Sequence, residues 1–266
     1  MPLNDSQFEQ FRSFIYDNCG IQPKKEMLEG KLDKLIRRHN LRSYDELYYL
    51  IANGVKNQIR TDFIDEITVH QSSFFRENNH FEFIRSQLRF ILEKNPRIFT
   101  NQEIRVWSAG CSTGEEPYTL GMVLKDWLPP EISIKILATD ISNRTLIAAQ
   151  NGFYPLSIKK DMDSYYLMQY FNRTEEAYQV KPELKELITF RLFNLMDPFP
   201  FNNKFDLIFC RNVMIYFNFE IQQQLVRKFH QVLTPGGLLF IGHSESLLNK
   251  EHGYQYLQPT IYLRNS

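Results

Sequence analysis

Two kinds of apolar spacing divide this chain. Over the first 75 residues, apolar side chains recur at helical intervals. Phe8, Phe11, Phe14 and Ile15 define one face, and Leu28, Leu32, Leu35 and Ile36 define a second. Ser43 stands before Tyr44-Asp45-Glu46, a capped helix start that Leu47, Leu50 and Ile51 continue. Residues 55–67 supply a fourth helix. No strand-like alternation interrupts this stretch, so residues 1–75 are expected to form an all-helical domain. A further helix is expected at 81–92. From there the chain alternates. Strands are predicted at 104–108, 134–139, 189–194, 205–210 and 238–242, and helices at 117–127, 143–150 and 220–233, the pattern of a parallel sheet with crossover helices. Residues 254–257 and 261–263 read as a closing antiparallel hairpin. Regularity lapses between 152 and 187, where Tyr165, Tyr166, Tyr170, Phe171 and Tyr178 crowd together. Two expectations stand there: a small subdomain at the sheet edge, or a long loop packed by its own aromatics. Its length favours structure.

With 43% hydrophobic and 23% charged residues, the 266-residue chain can bury a sizeable core. A formal net charge of zero argues against a global grip on nucleic acid. Cys19, Cys111 and Cys210 have no metal-ligand spacing, so no metal is expected, and a reduced cytoplasmic setting fits them. The first residues lack a signal-peptide pattern and no apolar run reaches 18 residues, so no membrane insertion is expected.

Residues 106–118, Val-Trp-Ser-Ala-Gly-Cys-Ser-Thr-Gly-Glu-Glu-Pro-Tyr, carry the most chemistry. An apolar strand enters a turn containing Gly110 and Gly114, and a helix starts at once. Such a turn brings backbone N–H groups and a helix N-terminus to a nucleotide-like cofactor. Residues 110–114 also spell Gly-x-Ser-x-Gly, the nucleophile elbow of α/β-hydrolases, with Asp140 or Asp206 and His243 following in chain order. The hydrolase reading explains less. An elbow follows several strands, whereas here the sheet begins at the motif. Asp140, 26 residues past Gly114, ends the second strand, where a carboxylate can accept hydrogen bonds from a ribose diol. Its structural alternative is to cap the helix near Asn143. NAD stays open on the turn and Asp140 alone, but the turn is not Gly-x-Gly-x-x-Gly, so the dinucleotide fingerprint fails. Residues 205–217 read as a buried strand opening into Arg211, Asn212 and Tyr216 at the carboxyl edge of the sheet. Gly236 and Gly237 read as a tight structural turn.

The segments Ser72-Ser73-Phe74-Phe75-Arg76, 106–118, Ala138-Thr139-Asp140, 205–217 and 236–246 resemble the chemotaxis receptor methyltransferases, the CheR family, and the resemblance covers nearly the whole chain. It implies an α/β fold: a Rossmann-like S-adenosylmethionine-dependent methyltransferase domain (76–266) with a small inserted subdomain (152–187), behind an N-terminal helical receptor-docking domain (1–75). It implies a cytoplasmic, monomeric protein-glutamate O-methyltransferase. The partner would be the cytoplasmic domain of chemoreceptors, and the cofactor product S-adenosylhomocysteine. The catalytic roles fall to Arg76, beside methyl donor and substrate carboxylate, and to Tyr216, whose hydroxyl points to the methyl. Cofactor contacts fall to His70, Ser72, Arg76, Gly110 in the turn, Glu116, Asp140 through ribose, Asn194 and Leu195 beside the adenine, and Arg211 and Asn212. His70 and Ser72 stand where members usually carry Asn and Thr. Ser72 keeps the hydroxyl, whereas the charge on His70 depends on pH near neutrality. The alternative of another class is a cofactor-binding signalling scaffold without catalysis.

The chemistry agrees. A glutamate carboxylate, with a pKa of about 4.3, is already a nucleophile at neutral pH and needs no general base. It needs a methyl group held in line and close. The candidate residues are Arg, Tyr and Asn, with no evident His–carboxylate base pair. Between Lys24 and Arg42, seven cations against Glu26, Glu29 and Asp33 leave an excess of four positive charges, suited to docking an acidic receptor surface. The 172–179 connection is short and lacks glycine, so little affinity for a receptor tail peptide is expected.

Overall fold

The computed structural model describes residues 2–55, 57–247 and 252–265. Four helices come first: α1 (Asp5–Cys19), α2 (Lys25–His39), α3 (Tyr44–Ala52) and α4 (Asn57–Ile67). Residue 56, inside the expected fourth helix, lies outside the described residues. Asn4 and Gln7 close a reciprocal capping box on α1, and the Ser43 hydroxyl accepts from Glu46 N–H to start α3. The predicted apolar faces meet in one core containing Phe11, Ile15, Leu28, Leu32, Leu35, Leu47, Ile51 and Phe63.

The single helix expected at 81–92 is two, α5 (Asn79–Ser86) and α6 (Leu88–Lys94). The chain bends at Gln87 (φ −109°, ψ 16°) because α5 packs on the first crossover helix and α6 on a sheet strand. A short α7 (Arg97–Asn101) follows Pro96; at five residues it shows no periodicity for a sequence reading to find. The alternating part then runs β1 (Glu103–Ala109), α8 (Glu115–Trp127), β2 (Ser133–Asp140) and α9 (Asn143–Asn151). Residues 152–187 form the small subdomain rather than a loop. It contains β3 (Phe153–Pro155), α10 (Ser164–Tyr170), β4 (Phe171–Arg173), β5 (Ala177–Val180) and α11 (Pro182–Lys185), with a three-stranded antiparallel sheet ordered β3-β5-β4. The chain returns through β6 (Ile188–Leu192), β7 (Phe205–Cys210), α12 (Phe219–Val232), β8 (Leu233–Ile241), β9 (Tyr254–Gln258) and β10 (Ile261–Arg264). The main sheet has the order β6-β2-β1-β7-β8-β10-β9, with only the closing hairpin antiparallel. No helix among the described residues is long and apolar enough to cross a membrane.

β8 starts five residues earlier than expected. Thr234-Pro235-Gly236-Gly237 is no turn between helix and strand but a bulge within the strand, because Phe205 pairs with Leu233 and Leu207 already pairs with Leu238. Gly236 sits at φ +76°, and a Cβ there would lie 2.0 Å from Lys94 O. Gly236→Ala should therefore cost more than about 1 kcal/mol. Gly30→Ala, in mid-helix with nothing within 4 Å of an added Cβ, should stabilise by about 0.4–1 kcal/mol. Urea midpoints of the two variants test this, and a shift of the same sign in both would contradict it.

Candidate active site

β1 is the point at which the strand order reverses. Its chain continuation β2 pairs on one side and β7 on the other. A crevice opens beyond the carboxyl ends of such strands. The turn leaving β1 borders it. Gly110 adopts φ +90°, and a Cβ would meet Val213 Cγ2 at 2.4 Å, so the turn closes against the segment after β7 only with glycine. Most of the turn's amides are, however, engaged within the protein. Gly110 and Cys111 N–H donate to Thr139 O at 2.8 and 2.9 Å, and Gly114 N–H donates to Cys111 O at 3.0 Å.

Asp140, at the end of β2, is held by two amides. Ser112 N–H donates to Oδ2 and Ser142 N–H to Oδ1, both at 2.9 Å. Each carboxylate oxygen keeps acceptor capacity, and the residue borders the cavity. Asp140 does not cap α9. Ser142 does, accepting from Thr145 N–H.

Arg211 follows β7 and is the electrostatic centre of the crevice. Its Nε donates to Glu77 Oε2 at 3.1 Å, its Nη1 to Glu116 Oε2 at 3.0 Å, and its Nη2 to Arg76 O. The guanidinium also lies over the Phe81 ring, 5.5 Å from the centroid. Glu116, on α8, accepts from the Ser108 hydroxyl as well; burial pushes its pKa up, against the pull of Arg211. Glu77 faces the same desolvation, but the His243 N–H, Arg211 and Asn212 outweigh it and hold its carboxyl below the usual range. Asn212 occupies φ +57°. Its side chain donates to Glu77 Oε1, and its N–H to Glu245 Oε2. Buried Glu245 also accepts Gly242 N–H at 2.5 Å and Ile215 N–H at 3.2 Å, which fixes the loop carrying Tyr216.

A cavity of about 300 Å³ lies in this crevice. All eleven predicted residues border it: His70, Ser72, Arg76, Gly110, Glu116, Asp140, Asn194, Leu195, Arg211, Asn212 and Tyr216. The helical domain roofs it with Cys19, Ile21, Lys24 and Met27, which sequence reasoning did not foresee. His70 Nε2 lies 2.6 Å from the Thr68 hydroxyl; burial lowers the pKa of the ring, opposed by Asp140. Asn194 lies just past β6, which ends two residues earlier than expected. It donates to Asn18 O in α1 and accepts from Met196 N–H. Arg76 donates one N–H to Gln71 O at 2.6 Å. The chemistry fits an adenosyl cofactor: a fixed carboxylate for ribose, Leu195, Ile141 and Phe193 as apolar wall, and the Ser112 hydroxyl, which is buried without a hydrogen-bond partner. Glu77 and Glu245 were missed. Glu245 lies in a segment singled out above and Glu77 one residue past another, but nothing in the spacing shows that acids 168 positions apart hold one loop.

The hydrolase reading fails on geometry. Asp140 is engaged by backbone amides, and the His243 ring bonds Asn79. Asp206 sits at the opposite end of the sheet, where it accepts from Asn95, Arg97 and Arg105.

Comparison with known proteins gives a consistent result. Residues 6–68 match the family described as CheR methyltransferase, all-alpha domain, and residues 70–263 match CheR methyltransferase, SAM binding domain. A chemotaxis protein methyltransferase of Borreliella burgdorferi is 36% identical, over 99% of this chain and 95% of its own. The chemotaxis protein methyltransferase Cher2 of Pseudomonas putida is 32% identical, over 97% and 96%. That of Escherichia coli is 33% identical, over 98% and 92%.

Arg211→Ala should destabilise the protein by at least about 3 kcal/mol, because it leaves two largely buried carboxylates facing each other. Urea denaturation at neutral pH measures this. A loss below about 1 kcal/mol would mean the three charges are solvated rather than mutually held.

Proposed function

The chain belongs to the CheR methyltransferase family, and from that premise we propose that it transfers the methyl group of S-adenosylmethionine to glutamate side chains on the cytoplasmic helices of a chemoreceptor. The observation that carries this reading is the convergence of all eleven residues on one cavity under the helical domain. When bound, the cofactor supplies an electrophilic sulfonium methyl. The protein's work is then to hold the ribose at Asp140, exclude water beneath the roof, and bring a carboxylate into line. Arg76, with one N–H on Gln71 O, is the charge that would orient the incoming glutamate, and Tyr216 flanks the same space. No proton needs to be removed. The test is transfer of radiolabelled methyl to receptor-bearing membranes with base-labile release as methanol. Label that resists base would remove the glutamate ester.

Arg76→Ala and Tyr216→Phe should lower kcat by more than they weaken S-adenosylhomocysteine binding, by roughly tenfold or more in rate. Equal losses in calorimetric affinity and in rate would reassign both residues to holding the cofactor.

Residues 1–75 are proposed as the receptor-docking unit, but the basic stretch is narrower than its charge count. Lys25 pairs with Asp5, and Lys34 and Arg38 both pair with Glu66 on α4. Among the described residues Lys24, Lys31, Arg37 and Arg42 have no carboxylate partner within 4.0 Å, and Lys31 is instead taken up by Ile67 O and Thr68 O. Reversing Arg37 and Arg42 to Glu should raise the receptor concentration for half-maximal rate and flatten its salt dependence, with cofactor affinity unchanged. Normal methylation at every ionic strength would show α2 to be a solvated face.

A further inference from the structure

We propose that Glu77, His80 and His243 form a binding site for one divalent transition-metal ion of the zinc or cobalt kind, and that filling this site opposes cofactor binding. Glu77 sits two residues before α5 at φ +55°, His80 lies in the first turn of α5, and His243 follows β8. One donor atom from each lies within 4.8 Å of the other two.

Hydrogen bonds set the state of both rings. His80 is fully buried, and its Nε2 lies 2.6 Å from Thr260 Oγ1. The Thr260 hydroxyl donates its one proton to Pro259 O, so toward His80 it can only accept. His80 is therefore the Nε2–H tautomer, an assignment that rests on this network. Its Nδ1 is a lone pair, buried without a hydrogen-bond partner, 3.9 Å from Glu77 Oε2. One acceptor faces another. The exposed His243 places its Nε2 2.8 Å from Asn79 Oδ1, a carbonyl oxygen that only accepts, so Nε2 is the donor and Nδ1 is the ring nitrogen left to serve as a ligand.

Two imidazoles and one carboxylate thus converge, each imidazole oriented by a bond from its other nitrogen, as metal-binding histidines are. Nitrogen and oxygen donors of this kind suit zinc and its neighbours. Tetrahedral bonds of about 2.0–2.2 Å place donors roughly 3.3–3.6 Å apart, so an ion draws the 3.9 Å pair in by a few tenths of an ångström and the widest pair by no more than about 1.5 Å, a shift that the exposed His243 ring can supply. His243 provides the way in. The expectation of a metal-free protein rested on cysteine spacing alone and did not reach this cluster.

The coupling follows from what else Glu77 holds. Oε2 also accepts from Arg211, and Oε1 from Asn212. A cation on Oε2 repels the guanidinium and loosens both residues. This half of the proposal rests on their assignment to the cofactor site; the metal site itself does not. By linkage the antagonism is reciprocal.

Chelator-treated protein would be titrated with Co²⁺ and read by visible absorption, then with Zn²⁺ by calorimetry with and without S-adenosylhomocysteine. The expected result is one ion per chain, a cobalt band abolished by excess zinc, and S-adenosylhomocysteine affinity lowered on the order of tenfold by zinc. His243→Ala should lose the band and the zinc effect while retaining metal-free affinity for S-adenosylhomocysteine. Circular dichroism confirms that each sample is folded. A silent cobalt titration of folded wild type, or an unchanged band in His243→Ala, overturns the site. A bound ion with unaltered S-adenosylhomocysteine affinity overturns the coupling. A cobalt band in a protein that never binds S-adenosylhomocysteine would sustain the site and remove the cofactor reading instead.

Discussion

The Arg211 guanidinium, closed in by Glu77, Glu116 and the Arg76 carbonyl, joins three stretches of chain that have no other reason to meet: the end of β7, the start of α8 and the segment before α5. A charge this deeply buried is tolerable only when its donors are satisfied and its counter-charges are close. Two carboxylates against one guanidinium overcompensate it. The surplus is absorbed by neutral donors, Ser108 on Glu116 and Asn212 and the His243 amide on Glu77. Removing any one member leaves the others buried and unmatched. Within that network Asn212 can hold a left-handed backbone that few residues adopt unaided.

The helical domain is fastened over this crevice by polar contacts. Buried Asp65 accepts from the Ser142 hydroxyl at 2.5 Å, and its carbonyl from Arg144 at 2.7 Å. Asn18 O receives Asn194, Tyr16 receives Asn218, and Ile21 bridges Phe217. Ser142 therefore caps α9, lends its amide to Asp140 and meets Asp65. Carboxylate and roof share one fixed point. The arrangement lets a small cavity draw on both halves of the chain.

Much of this was legible beforehand, and the misses have a common cause. Periodicity found the helices that bury a whole face, such as Leu28, Leu32 and Leu35 on α2, and the strands that bury both faces, such as β7. It did not find α7, which is too short to show a period, or the bulge opening β8, where Pro235 and Gly236 resemble turn chemistry. Asp140, Arg211 and Tyr216 were marked because polar groups at the carboxyl ends of strands lie where an open α/β sheet binds its ligand. The partners of those groups were invisible. Glu77 and Glu245 drew no reading at all, since a linear pattern does not report which distant amides and guanidinium converge. The roof was missed for the same reason: Cys19, Ile21 and Met27 have the composition of ordinary helix surface and core.

The contacts of Glu245 also have a temporal meaning. A protein is made from its N-terminus, so the helical roof and most of the crevice leave the ribosome before β8 does. A nascent chain that has reached Val232 already contains every candidate cofactor contact from His70 to Tyr216. It still lacks β8 and the carboxylate that takes the amides of Asn212 and Ile215. The loop is unfixed at that stage, and a ligand selecting the finished geometry stabilises only chains extended past residue 245. Competence to bind thus arrives as a late event in synthesis, set by one glutamate far from the first glycine turn.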